Sequence, residues 1–269
     1  MATAAPPPPA PAPKAVPPPA VAPPTRPRVG ELHDSGTVRK DFVNADRWFA
    51  TGLIKVTGDV EVGQGKFDGT VTLGGKVTAA DLHYRGTVDI LGAVEVTAGL
   101  TGSGSLRAEG AVHAGTAELK GTAQMGGPLS VDRGLNVRGS MSAPSAKVGE
   151  LDLDGEAHIP GELTGGRVAA FLKESSSFGT VRARSVTLHG KPPNLVEKMF
   201  FRRVTVKVDR VEADVADLES VDVQFVRAPQ ITLGRDAHVT EYEGTIVKRH
   251  PTSRVGFESK SPPPYGLRR

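Results

Sequence analysis

The sequence predicts an all-β chain: a β-solenoid of triangular cross-section, then a second, short solenoid block, with disordered tails at both ends. Three observations predict it. Apolar residues come in pairs with one residue between them, and the pairs recur every five or six positions from Val71 to Leu163. Glycine or a small polar residue separates the pairs, as at Gly69, Gly86, Gly121, Gly139 and Gly155. Aromatic residues make up only 5% of the chain, so Val, Leu, Ile, Ala and Met must fill a narrow interior.

Each pair, such as Val71/Leu73, Val88/Ile90, Val112/Ala114 or Leu151/Leu153, has the two-residue period of a short strand with one face buried. A strand that short is unstable alone. Self-similarity at a fixed short step is the mark of a repeat architecture, in which neighbours bury what one repeat cannot. Three strands per coil give a coil of about seventeen residues, each strand pairing with its equivalent one coil on at roughly 4.8 Å. No window from 53 to 163 keeps a helical apolar spacing without an interrupting glycine.

Residues 1–28 hold twelve of the 22 prolines, mixed with alanine and valine. Such a segment favours an extended polyproline II tail, which serves as a docking strand for a partner or as a spacer. Residues 29–52 precede the regular pairs and carry Phe42, Trp48 and Phe49. They are expected to form a cap or linker, because an open solenoid end templates unwanted growth. The solenoid proper is expected over 53–165. An interruption over 166–203 follows, where Asn194 and Glu197 have the spacing of a capping box for a short helix. Pairs return at a step of five over 204–246, as in Val206/Val208, Val211/Ala213 and Ile231/Leu233. That step predicts a tighter coil of about fifteen residues, in a second block. Residues 247–269 form a basic, disordered tail.

Charge is uneven. The N-terminal tail carries +3 and residues 247–269 carry +5, so the body is near −5 within a chain of net +3. A body without a broad cationic surface argues against nucleic acid as a partner. The tails could touch protein partners or, weakly, an anionic membrane surface. There is no cysteine, which excludes disulfides, thiol nucleophiles and cysteine-ligated metal. No signal peptide and no apolar run of spanning length is legible, so a cytoplasmic location, with the inner face of the cell membrane as one variant, is the expectation.

Chemistry-bearing residues are scattered. His83, His113, His158 and His189 are candidates for a solenoid acyltransferase base, but no acid recurs beside them in sequence and the six-residue step breaks too often. Asp152 and Asp154 flank Leu153 and should point outward, which suits a cation or acid–base pair less well than a solvated strand. No phosphate-binding loop is present. No catalytic site, cofactor, metal or small-molecule substrate is expected.

The stretch Gly52, Leu53, Ile54, Val56, Gly58, Asp59, Val60, Val62, Asp68, Gly69, Val71 and Leu73 resembles the opening of the bactofilins, polymer-forming bacterial cytoskeletal proteins. The resemblance covers residues 52 to about 165 and extends to the flanking tails. It implies a right-handed triangular β-helix that polymerises end to end without nucleotide and recruits partners through its tails. End contacts are then expected at Leu53, Ile54, Val56, Val60 and Val62, and at Ile231, Leu233 and Val239 at the other end. Two alternatives stand beside a self-associating scaffold. One is a solenoid capped at both ends that only displays its faces; the other is a β-helix enzyme.

Overall fold

The computed structural model describes residues 27–173, 175–191 and 206–259. Thirteen strands form one sheet, every strand lying parallel between its neighbours in sequence. They are β1 (Val29–Lys40), β2 (Val43–Val56), β3 (Val60–Leu73), β4 (Val77–Ile90), β5 (Val94–Ala108), β6 (Val112–Met125) and β7 (Leu129–Ser142). Then come β8 (Ala146–Leu172), β9 (Ser177–Gly190), β10 (Val206–Glu219), β11 (Val221–Leu233), β12 (His238–Arg249) and β13 (Arg254–Glu258). Most are a whole coil of a solenoid rather than a straight strand, and the 27-residue β8 spans more than one.

Registers give the coil length. Val43 pairs with Val60 and Val60 with Val77, a step of 17 residues, while Val206 pairs with Val221, a step of 15. Both agree with the spacing of the apolar pairs. Within a coil three inward pairs are buried, for example Val60/Val62, Phe67 with Gly65, and Val71/Leu73. Stacked coils turn each inward position into a file running along the solenoid. One file passes through Ala50, Phe67, Tyr84, Gly102, Leu119, Val137 and Leu153. It continues through Ala170, Leu188, Leu218 and Leu233. The core is thus one continuous column.

One corner needs glycine. Gly36, Gly52, Gly69, Gly86, Gly104, Gly121, Gly139 and Gly155 stack in register and all have positive φ, from 78° to 148°. A β-carbon on Gly69 would lie 2.5 Å from the carbonyl oxygen of Gly52. Only a residue without a side chain fits both the dihedral and the close approach.

The structure differs from the sequence reading in three places. Residues 29–52 are not a cap outside the repeat: they are β1 and β2, in register with β3. Residues 166–191 are not an interruption, since β8 runs to Leu172 and β9 follows, with Val168, Ala170, Phe178, Val181 and Val186 buried. The second periodic stretch continues the sheet of the first, because Val208 of β10 pairs with Phe178 of β9 and Leu218 with Leu188. β9 and β10 are therefore adjacent in the sheet, although fifteen residues separate Gly190 from Val206 in the sequence. The short helix expected near Asn194 and both tails, apart from the residues given above, lie outside the described residues.

Candidate functional site

The sites of chemical interest are the two ends of the column, where files of buried side chains stop. At the N-terminal end, β1 pairs only with β2 among the described residues. Its inward positions follow from register: Leu32 over Trp48, Asp34 over Ala50, Val38 over Ile54 and Lys40 over Val56. Two of the four are charged. Trp48 Nε1 donates to Asp34 Oδ2 at 2.8 Å, and Lys40 Nζ lies 3.2 Å from Asp34 Oδ1. Trp48 is 0% exposed, so its N–H must find an acceptor inside the protein. Asp34 supplies it while neutralised by Lys40, which answers the cost of placing a carboxylate over an apolar core.

Sequence-expected cap residues take different places. Trp48 is a core residue in edge-to-face contact with Phe67, ring centroids 4.9 Å apart. Phe49 stacks on His33 at 4.8 Å on the outer surface. Phe42 is exposed at the turn between β1 and β2. Of the residues expected at the end contact, Leu53 is exposed, whereas Ile54 and Val56 are buried beneath β1, and Val60 and Val62 beneath β2. The residues that do line the end are Leu32, Asp34, Val38 and Lys40. The charged members among them could not be found from an apolar pattern.

At the other end, Ile231, Leu233 and Val239 are buried under the last coil. β13 pairs with β12 only from His238 to Tyr242, so the rest of the far edge of β12 has no described partner strand. Tyr242, Ile246 and Val255 are partly buried there, while Val247 and Phe257 are exposed. After a shift between Ile231 and Thr232, Arg249 comes into register with Leu233. Its Nη2 donates to the carbonyl of Ser253 at 3.2 Å.

Along the side, an alternating ladder joins successive coils. Arg182, Glu212, Arg227 and Glu243 share one register position. Arg182 bonds Glu162 at 2.6 Å and Glu212 at 2.8 Å, and Arg227 bonds Glu243 at 2.7 Å. Hydrogen bonding from Arg210 is the largest influence on the Glu212 carboxyl; burial opposes it, and with the hydrogen bond and charge of Arg182 the carboxyl is held below its ordinary range. This ladder stitches β9 to β10.

The histidines are not gathered. His113 lies 3.5 Å from Asp132 and His189 3.4 Å from Asp217, each acid coming from the next coil. Sequence reading missed these acids because they stand 19 and 28 positions away, visible only once the register is known. His158 Nδ1 is 2.5 Å from Ser177 Oγ, and His83 stands apart from all three. Asp152 and Asp154 point outward as expected, Asp154 lying 3.8 Å from Lys173. Among the described residues no group of three or more His, Asp or Glu side chains could hold a metal ion, and no helix is long and apolar enough to cross a membrane. Burial pushes the Tyr84 phenol above its usual range, as its inward position requires. No protein-family model, curated protein or solved structure matches the chain.

Proposed function

We propose that the chain is a structural scaffold that self-associates through the ends of its solenoid, without nucleotide. The observation that carries this is the unsatisfied edge of β1: among the described residues, a twelve-residue strand pairs on one side only. Backbone donors and acceptors on a free parallel edge template a further strand, and here the core column stops at the same place. An open chain of subunits results when one end meets another without closing. The fold is consistent with the bactofilin-like resemblance, and three inward pairs per coil support a three-sided β-helix, to which that resemblance assigns a right hand. The proline-rich segment 1–28 and the basic segment 247–269 would recruit protein partners or touch an anionic membrane surface. A cytoplasmic scaffold, at the membrane's inner face or away from it, fits that role.

A second reading has one specific observation in its favour. Asp34 and Lys40 sit at inward positions of the first coil, and charges placed there resist further apolar stacking, as in strands built to avoid edge growth. A capped scaffold that displays its faces would use the same pair as a stop. Electron microscopy of the purified chain at physiological salt, with and without Leu32→Lys and Val38→Lys, separates the two. Filaments lost in the variant support self-association; uniform single particles in both overturn it.

A further inference from the structure

The file that runs through Ala50, Phe67, Tyr84 and on to Leu233 begins with an acid and ends with a base. Asp34 precedes Ala50 in it, and Arg249 follows Leu233. Asp34 lies across the N-terminal end of the core, whereas Arg249 is exposed at the far end. The Asp34 side chain is 9% exposed, and Arg249 reaches the carbonyl of Ser253, a residue that is itself 4% exposed. The file that ends at Val255 starts at Lys40, above Val56. Beyond Val255, Glu258 pairs with Tyr242.

From this we infer that the chain assembles head to tail, and the inference rests on the self-association proposed above. β1 of one copy continues the parallel sheet on the far edge of β12 of a second copy. Asp34 then seats over Arg249, Leu32 over Ile246, and Lys40 over Val255, close to Glu258. The occupant of each end is thus the opposite end of an identical chain.

Register and charge carry this choice together. Every strand pair in the sheet is parallel, and stacking opposite ends repeats that geometry, so that each file meets its own continuation. Two identical ends facing each other would run their strands in opposite senses, and no file would continue. A charge covered by a partner needs an opposite charge in reach. The opposite end provides Arg249 in the file of Asp34, and for Lys40 it provides Glu258, in the neighbouring file of Tyr242. Heterologous contacts of this kind propagate as an open polymer with direction.

The absence of cysteine makes a clean test available. His33 follows Leu32 on the outer surface of β1, in the file of Phe49. Lys248 ends that same file, in register with Thr232. Head-to-tail stacking brings the two within the distance a disulfide spans, about 4.4–6.8 Å between α-carbons. Full-length protein carrying His33→Cys with Lys248→Cys is oxidised and run on a denaturing gel, beside each single variant. A ladder of covalent multimers from the double variant, with monomer from each single variant, is the expected result. Covalent dimers from either single variant would overturn the polarity and leave end-to-end association standing. Monomer in all three lanes, with monomer by sedimentation, would overturn both. In a second arm, Arg249→Asp should abolish the pelletable fraction and Arg249→Lys should keep it, while Asp34, which also holds Trp48 and Lys40, is left intact. Pelleting untouched by Arg249→Asp would overturn the charge pairing.

Discussion

Trp48 Nε1 and Asp34 Oδ2, 2.8 Å apart, tie the second coil to the first. Trp48 carries the chain's single indole, and it lies fully buried over Gly65, its register partner one coil on. The large side chain fits because the next coil offers none at that position. Its N–H is satisfied only because the coil before offers a carboxylate. Packing and polar satisfaction thus come from opposite neighbours.

Asp34→Ala should therefore destabilise the first coil by about 1–3 kcal/mol, the usual cost of stranding a buried donor. Urea unfolding followed by tryptophan fluorescence reads this directly, since only one tryptophan emits. An unchanged midpoint with unchanged emission would show that the hydrogen bond is not formed in solution.

Tyr84 and Gly102 form a second large–small pair. They are in register, and a β-carbon on Gly102 would collide with the Tyr84 ring. Gly102→Ala should cost about 1–3 kcal/mol through overpacking. Tyr84→Leu in the same chain should recover part of that loss. A double-mutant cycle with additive effects would show that the two do not share space.

The glycine corner predicts a contrast within one residue type. Gly104 has φ of 120° and faces Gly86 of the previous coil. Gly134 has open space around it and no positive φ. Gly104→Ala should lower the melting temperature sharply, while Gly134→Ala should leave it unchanged or raise it slightly. Equal effects at the two sites would contradict the stacked corner.

Acid should loosen the joint between β9 and β10. The Glu212 carboxyl is held below its ordinary value by Arg210 and Arg182. A group with a depressed folded pKa contributes stability above its unfolded value, near 4.5, and loses it as pH falls through the folded value. Melting temperature should thus fall on acidification below about pH 4.5, and Glu212→Gln should flatten that limb. A variant with the same acid limb as the parent would remove Glu212 from the cause.

Much of the column was legible from the chain alone. Pairs such as Val71/Leu73 and Leu151/Leu153 carry their own period, because each inward position is filled by an aliphatic residue. The pattern failed where partners compensate across coils. Trp48/Ala50 and Gly65 with Phe67 are inward pairs too, yet neither looks like an aliphatic pair. Val168/Ala170 and Phe178 were hidden in the same way by Phe171, which is outward and exposed. Ends were the least legible part. Asp34, Lys40 and Arg249 occupy inward positions that only register reveals, and polar residues there read as loop in a search for apolar pairs.

Self-association through the solenoid ends is tested most directly by sedimentation velocity of the purified chain at physiological salt, without nucleotide, beside Leu32→Lys/Val38→Lys. The parent should sediment as a broad series of large species that grows with protein concentration, and the variant as a single small one. A parent that sediments as one small species at every concentration, matched by the variant, would contradict assembly and leave the capped scaffold.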